Sequence, residues 1–319
     1  MGVFDFPIEK LENYKGTNPC PEDFDEFWKK ALEEMRATDP CVELRKADFK
    51  AEYVDCFDMY FTGVKKARIH VKYCRPRHVA EKHPAVIRFH GYTDNAGSWS
   101  ELLNYAASGF SVFAMDCRGQ GGESEDTGGV RGTTHRGHII RGLDDGPESL
   151  LYRSIFLDAA ELAKLAMEFD EVDRERIGAF GQSQGGALAL VCAALEPGIK
   201  RVAPLYPFLS DYKRVWEMDL AKNPYYELSY YFRWFDPCHE RQKEIFEKLG
   251  YIDVQNFAKW IKGRVLMGTG MMDMNCPPST QYAIYNKILS PKEHVLYPEF
   301  QHEKIYDFWD KTYQFLCGL

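Results

Sequence analysis

Two kinds of hydrophobic patterning divide the chain. Residues 21–37 repeat apolar side chains along one helical stripe, with Pro21 in the first predicted turn. Residues 42–75 alternate with a period of two, most clearly over residues 67–73, where apolar and charged positions take opposite faces. We therefore expect an N-terminal extension over residues 1–45 that contains a helix, followed by antiparallel strands at one edge of a sheet.

From residue 84 onward, short apolar strands alternate with amphipathic helices. The predicted strands cover residues 84–90, 110–116, 176–181, 202–206, 264–269 and 293–297. The predicted helices cover residues 98–107, 149–169, 183–195, 278–288 and 302–317. This alternation is typical of a mostly parallel sheet with helices on both faces. The pattern predicts one α/β domain over residues 1–319 with a mixed sheet.

Two segments interrupt this alternation. Residues 117–148 are rich in glycine and charge, as in long loops that are functional or unstructured. Residues 207–262 are rich in aromatic side chains and contain two helix-like stretches. This helical insertion fits a lid or pocket wall, and it equally fits packing against the core or a subunit interface.

Charge and hydropathy exclude several classes of partner. The chain carries 40 basic and 48 acidic residues, a net charge of −8, and has no basic stripe that would neutralise phosphates. No apolar run approaches the length of about 18 residues that spans a membrane. The N-terminus lacks the basic and apolar regions of a secretory signal. We predict neither a nucleic-acid partner nor a membrane partner.

The nine cysteines are scattered, odd in number and free of any C-x-x-C spacing. This usage is typical of reduced thiols in a cytoplasmic protein. The nearest approaches to metal ligands are Cys238 with His239 and His135 with His138, and neither has a second pair at a suitable spacing. We predict no metal site.

Residues 181–185 form a G-x-S-x-G element with Ser183 at its centre, between a predicted strand and a predicted helix. Such a turn needs its glycines because a Cβ there would clash with the neighbouring strand and helix. It holds the serine hydroxyl above the sheet, and the helix N-terminus behind it favours developing negative charge. We predict Ser183 as a nucleophile.

Two further strand ends supply an acid and a base. Asp273 follows the strand at 264–269, and His302 follows the strand at 293–297. Open α/β sheets bind ligands beyond these strand ends, and the order Ser, Asp, His is that of α/β-hydrolases. His302 would take the serine proton and Asp273 would orient its imidazole. Asp211 remains an alternative acid, but its place in a turn before a helix leads us to favour an N-cap role for it.

An oxyanion hole needs two N–H groups. The residue after the nucleophile, Gln184, is one candidate. The loop after the strand at 84–90 supplies the other through the Gly91-Tyr92 or the Tyr92-Thr93 peptide, and we favour the Tyr92 N–H. The Tyr92 ring could also contact substrate as a wall of the acyl pocket. The His90-Gly91 turn fits an ordinary strand end as well.

These motifs resemble carbohydrate esterase family 7, the acetyl xylan esterases and cephalosporin C deacetylases. The resemblance spans the chain and rests on Arg118-Gly119-Gln120, on residues 181–185, on His302-Glu303 and on the acid loop at 272–280. It implies an α/β-hydrolase fold and deacetylation of small acetylated sugars, xylo-oligosaccharides and cephalosporin C without a cofactor. It also implies a cytoplasmic homohexamer with Tyr92 and Gln184 in the oxyanion hole.

The leading hypothesis is therefore an acetyl esterase that works through an acyl-enzyme. A serine peptidase of the prolyl-oligopeptidase type shares the sheet and the triad order. It normally carries a large extra domain, and the stretch before residue 84 is too short for one. A non-catalytic binding protein of this fold would typically lack one of the three triad residues. For Arg118 we predict a structural role, pinning the glycine-rich loop through backbone carbonyls.

Overall fold

The computed structural model describes residues 4–79, 82–128, 136–220 and 224–319. Its sheet has nine strands in the order β1-β2-β3-β5-β4-β6-β7-β8-β9 within this described part of the chain. The strands are β1 (Glu43–Lys46), β2 (Val54–Thr62), β3 (Arg68–Pro76), β4 (His83–Phe89), β5 (Ser111–Met115), β6 (Val172–Gln182), β7 (Arg201–Leu205), β8 (Arg264–Gly270) and β9 (Lys292–Tyr297). The first strands pair antiparallel, up to the β3–β5 contact, and all pairs from β5 to β9 are parallel.

Helices cover both faces of the sheet. They are α1 (Ile8–Leu11), α2 (Phe24–Ala37), α3 (Leu103–Ala107), α4 (Leu151–Glu168), α5 (Gln184–Leu195), α6 (Tyr212–Glu217), α7 (Tyr226–Phe235), α8 (Gln242–Leu249), α9 (Pro278–Tyr285) and α10 (Tyr306–Cys317). Successive residues of one strand enter different hydrophobic clusters: Ile87 packs in the cluster that includes α4 and α5, and Val86 packs in the cluster that includes α3 and α10. The α/β-hydrolase architecture predicted from the sequence is confirmed.

Two helices begin differently from the predictions. The helix predicted at 98–107 is a 3₁₀ turn, Trp99–Leu102, that continues into α3. The helix predicted from residue 302 begins at Tyr306, because residues 301–305 form an irregular loop after β9. That loop carries His302.

The N-terminal extension and the insertion at 207–262 pack together. The Trp28 indole of α2 lies 6.0 Å from the Phe156 ring of α4 and 4.9 Å from the Phe257 ring of the insertion, measured between ring centroids. Its Nε1 donates a hydrogen bond to the Tyr251 carbonyl at 2.9 Å. All of these aromatic side chains belong to, or pack against, the main hydrophobic cluster beside the sheet.

Two predicted segments are only partly described. Residues 129–135 of the glycine-rich segment and residues 221–223 of the insertion lie outside the described residues. Among the helices that the structure does describe, none has the length and apolar character needed to cross a membrane.

Candidate active site

Ser183 lies at the sharp turn between β6 and α5. Its backbone has φ 54° and ψ −120°, a conformation that non-glycine residues rarely adopt and that neighbouring structure must hold in place. A Cβ at Gly181 or at Gly185 would overlap the carbonyl oxygen of Phe89 at the end of β4. The two glycines therefore let the turn press against the adjacent strand, as the sequence predicted.

Asp273 and His302 meet at the ends of β8 and β9. The His302 Nδ1 lies 2.7 Å from Asp273 Oδ2. The other carboxylate oxygen accepts hydrogen bonds from the amides of Asn275 and Cys276, both at 2.8 Å, and Asp273 is fully buried. Since a carboxylate only accepts hydrogen bonds, Nδ1 carries the proton and Nε2 is left as the basic nitrogen.

The Ser183 hydroxyl lies beside the thiol of Cys276, which completes the same cluster. Burial raises the pKa of that thiol well above its ordinary value, the Asp273 charge adds to the increase, and a hydrogen bond with Ser183 acts in the opposite direction. The structure describes both Ser183 and His302 and shows no hydrogen bond between them. Such bonds often tighten only when substrate is present. The Tyr206 ring packs against the His302 ring, with 4.4 Å between the ring centroids, and limits how far the imidazole can turn.

Asp211, the alternative acid, is engaged elsewhere. Its buried carboxylate accepts hydrogen bonds from the Tyr14 hydroxyl at 2.6 Å, the Thr17 amide at 2.9 Å and the Asn18 amide at 2.8 Å. The predicted N-cap role is wrong: Asp211 precedes α6, but its side chain makes no capping bond. The N-terminal extension donates hydrogen bonds to the carboxylate that would otherwise cap α6.

The candidate oxyanion donors lie on two adjacent loops. Gln184 is the first residue of α5, where N–H groups have no partner within the helix. Tyr92 follows β4 in a turn where the Asp94 amide donates to the Gly91 carbonyl at 3.2 Å, and the next residue, Thr93, has a left-handed φ of 64°. The turn thus brings the Tyr92 backbone to the same edge of the sheet as Ser183.

A reciprocal amide pair joins these two loops. Gln120 Nε2 donates to Gln184 Oε1 at 2.8 Å, and Gln184 Nε2 donates to Gln120 Oε1 at 3.0 Å. Gln120 Oε1 also accepts from the Thr93 amide at 2.9 Å. The last residue of the Arg118-Gly119-Gln120 motif therefore ties the nucleophile turn to the Tyr92 loop. Sequence reasoning missed this bridge because nothing in the motif indicates its partner.

His90 supports the same loop. Its Nδ1 lies 2.7 Å from the Gly91 carbonyl, and its Nε2 accepts from the Cys117 amide at 2.9 Å. Burial lowers the pKa of His90, in agreement with a neutral ring that donates through Nδ1 and accepts through Nε2. The His90-Gly91 turn is thus pinned to the end of β5.

Arg118 forms a buried ion pair. Its Nε and Nη2 donate to both oxygens of Asp158 on α4, each at 2.6 Å, and Nη2 also reaches the Val64 carbonyl at 3.2 Å. Burial raises the pKa of Asp158, and the Arg118 charge opposes that increase. The contacts suit a structural role, but the predicted partner was wrong: Arg118 holds α4 and the turn after β2, not the glycine-rich loop.

Tyr92 has two side-chain partners that the sequence did not indicate. Its hydroxyl lies 2.9 Å from His138 Nδ1 and is hydrogen-bonded to the carboxylate of Glu227 on α7. The partners lie 46 and 135 positions away along the chain, so no local pattern signals the contact. The insertion at 207–262 therefore backs the loop that carries Tyr92.

The described residues contain one cluster of potential metal ligands. Asp273, Cys276 and His302 each place one ligand atom within 4.8 Å of the others. Asp273 is already bound by His302 and by two backbone amides, and the thiol is held protonated by burial, so these residues suit proton transfer better than metal binding. His138 contacts Tyr92 and the Gly119 carbonyl, and its predicted companion His135 lies outside the described residues.

The sequence profile described as acetyl xylan esterase (AXE1) matches residues 1–319. The chain belongs to this family. It is also similar to acetyl esterase Axe7A of Xylanibacter ruminicola, with 31% identity over 310 residues. That alignment covers 93% of this chain and spans 66% of the relative's length. The resemblance stated from the sequence motifs is confirmed.

Two solved structures of the family share the whole fold. Acetyl xylan esterase 1 from Thermoanaerobacterium sp. JW/SL YS485 is 58% identical, with a TM-score of 0.97 and coverage of 99% of both chains. Acetyl xylan esterase from Paenibacillus sp. R4 is 32% identical, with a TM-score of 0.92 and coverage of 98% of this chain and 99% of that chain. The extension and the insertion are thus part of a common family architecture.

Proposed function

We propose that the protein is a serine esterase that removes acetyl groups from small acetylated carbohydrates, with acetylated xylo-oligosaccharides as the main substrates. One observation carries the proposal: in a member of the acetyl xylan esterase family, the buried Asp273 is paired with the partly exposed His302, and Cys276 of the same cluster lies beside Ser183 on its strained turn. This arrangement supplies the nucleophile, base and orienting carboxylate that acyl transfer requires.

In the proposed mechanism Ser183 Oγ attacks the acetyl carbonyl carbon while His302 Nε2 takes the serine proton. Asp273 stabilises the imidazolium that forms. The N–H groups of Tyr92 and Gln184 bind the oxyanion of the tetrahedral intermediate. His302 then returns the proton to the sugar oxygen, the C–O bond breaks and acetyl-Ser183 remains. Water, deprotonated by His302, releases acetate and restores the serine hydroxyl.

The central test compares acyl chains and alcohols. Purified protein is assayed with p-nitrophenyl acetate, butyrate and octanoate, and acetate release is measured from acetylated xylo-oligosaccharides, acetylated monosaccharides and cephalosporin C. We expect acetate esters to be preferred and Ser183→Ala to abolish turnover. A preference for butyrate or octanoate, or full activity of the Ser183→Ala variant, would contradict the proposal.

The acyl-enzyme has its own signature. Rapid mixing with p-nitrophenyl acetate is expected to give a burst of nitrophenol with an amplitude of about one equivalent per active site, where deacylation is the slower step. Mass spectrometry of the quenched enzyme should then show one added acetyl group on the peptide that contains Ser183. An acetyl group on another residue would refute the assignment of the nucleophile.

We also propose, from the family resemblance, a cytoplasmic homohexamer that needs no cofactor. Large apolar side chains of α7 support an interface, since Tyr226, Trp234 and Phe235 are each at least 41% exposed. All nine cysteines are free thiols, as expected in a reducing compartment. Light scattering coupled to size-exclusion chromatography tests the assembly, and a monomer or dimer would contradict it.

A further inference from the structure

The hydroxyl of Tyr92 lies between two buried titratable side chains. His138 comes from the segment at 117–148, and Glu227 comes from α7 of the insertion. Among the described residues, no hydrogen bond joins Glu227 or His138 to Ser183 or His302, and the proposed mechanism gives neither of them a direct role. We propose that Glu227 and His138 are positioning residues that hold Tyr92, and with it the oxyanion loop, through a single shared proton. This inference rests on the proposed function.

The outer contacts of the two residues restrict where protons can lie. Glu227 Oε2 accepts a hydrogen bond from the Ile139 amide at 2.7 Å, so that oxygen acts as an acceptor. His138 Nε2 lies 3.0 Å from the Gly119 carbonyl, which only accepts, so Nε2 carries a hydrogen. The remaining atoms, Glu227 Oε1 and His138 Nδ1, both face the Tyr92 hydroxyl.

A count of hydrogens at this hydroxyl shows that one more proton is needed. The Tyr92 oxygen accepts a hydrogen bond from the His138 amide at 3.3 Å, and the hydroxyl has one hydrogen to donate. An ionised Glu227 Oε1 and the Nδ1 of a neutral His138 would both require that one hydrogen. One proton added to the pair satisfies all three groups. On His138 Nδ1, it is donated to the Tyr92 oxygen while Tyr92 donates to Glu227. On Glu227, it is donated to Tyr92 while Tyr92 donates to Nδ1. The pair has no net charge in either arrangement.

The surroundings keep this proton within the pair. Burial raises the pKa of Glu227, while hydrogen bonds from Tyr92 and from backbone amides at 137–140 lower it by less. The phenols of Tyr152 and Tyr212 interact with both Tyr92 and Glu227, and the thiol of Cys117 interacts with Tyr152. Burial raises the pKa of each of these well above its ordinary value, so all three stay neutral.

Loss of the shared proton at alkaline pH would leave two acceptors competing for the one hydrogen of Tyr92. The hydroxyl would then release one partner, and the loop that carries the Tyr92 N–H would lose part of its support. Because an oxyanion donor acts mainly in the transition state, kcat falls while KM changes little. The pH profile of kcat should therefore decline at alkaline pH.

The test uses three variants and one control, assayed with p-nitrophenyl acetate across the pH range with enzyme-free rates subtracted. Glu227→Ala and Tyr92→Phe are expected to lower kcat by about 10- to 100-fold with little change in KM. In Glu227→Gln, the new amide can donate to the Tyr92 oxygen and accept from Ile139 without a titrating proton. This variant should keep more kcat than Glu227→Ala and should lose the alkaline decline. Tyr231→Phe removes a hydroxyl that α7 itself carries and that donates to Asp144, and serves as the matched control.

Thermal unfolding and circular dichroism establish that each variant is folded before its kinetics are compared. Wild-type kcat in Tyr92→Phe, or an unchanged alkaline decline in Glu227→Gln, would overturn the inference. A general loss of folding in Glu227→Ala leaves the Tyr92→Phe and Glu227→Gln comparisons to decide. If Ser183→Ala is inactive while the network variants match wild type, only this inference fails. If Ser183→Ala keeps its activity, the proposed function fails.

Discussion

Asp273→Asn separates the orienting role of the carboxylate from its place in the fold. The Asp273 side chain accepts two backbone amides on one oxygen and faces His302 Nδ1 with the other. An asparagine can keep the amide contacts only by placing its carbonyl oxygen toward Asn275 and Cys276. Its NH₂ group then faces Nδ1, which must become an acceptor. The hydrogen moves to Nε2, the nitrogen that has to take the serine proton.

The magnitude follows from that change of tautomer. A base that holds a hydrogen on its working nitrogen cannot accept another, and the comparable change in a serine protease lowers kcat by about 10⁴-fold. This corresponds to about 5 kcal/mol of transition-state stabilisation. Folding should change much less, because the variant is isosteric and the buried carbonyl oxygen remains bonded to both amides.

The assay measures kcat and KM with p-nitrophenyl acetate and the melting temperature of the same samples. Asp211→Asn is the matched control, because Asp211 is equally buried and is the other acid that the sequence offered. We expect Asp211→Asn to lower the melting temperature and keep wild-type kcat. Near-wild-type kcat in Asp273→Asn, together with a large loss in Asp211→Asn, would refute the reasoning and reassign the acid.

Three further predictions concern stability and the oxyanion loop. Asp158→Asn leaves the Arg118 charge buried without a counter-ion, and urea unfolding should show a loss of about 3–5 kcal/mol; a loss below about 1 kcal/mol would contradict this. Burial lowers the pKa of His294 to about 3. The unfolded chain therefore binds a proton below about pH 6.5 that the folded protein does not bind. As the pH is lowered from there, the free energy of unfolding decreases by up to about 1.4 kcal/mol per pH unit. His294→Gln should flatten this slope in urea titrations, and an unchanged slope would exclude His294 as its source. Gln120→Ala removes the acceptor of the Thr93 amide and should lower kcat by up to about 10²-fold with a nearly unchanged melting temperature; an unaltered kcat would show that the bridge does not position the loop.

The sequence predicted the elements whose signals are local. The periodicity of apolar residues predicted the parallel half of the sheet, and the glycines around Ser183 predicted its turn. Each of these signals depends on neighbours within a few residues. Motif order also singled out Asp273 and His302, which the structure brings within hydrogen-bond distance.

Contacts between distant segments could not be predicted in the same way. The carboxylate of Asp211 could have capped a helix or served as the acid, and only the fold shows that the N-terminal extension binds it. The partners of Tyr92 lie in an insertion and in a glycine-rich segment, where aromatic and charged residues have many possible neighbours. An amphipathic pattern indicates which face of an element is buried, but it does not indicate which other element packs against that face.

The anchoring of the N-terminal extension sets an order of events during synthesis. Tyr14 and Asn18 leave the ribosome early, yet the carboxylate that they bind lies 197 and 193 positions later in the chain. These residues cannot bond to Asp211 until β7 and the start of the insertion have been synthesised. Contacts of such long sequence separation form late and slowly, since closing a long loop is entropically unfavourable. Docking of the extension is therefore a closing step of folding, and a segment translated well before its partner is among the last to reach its native place.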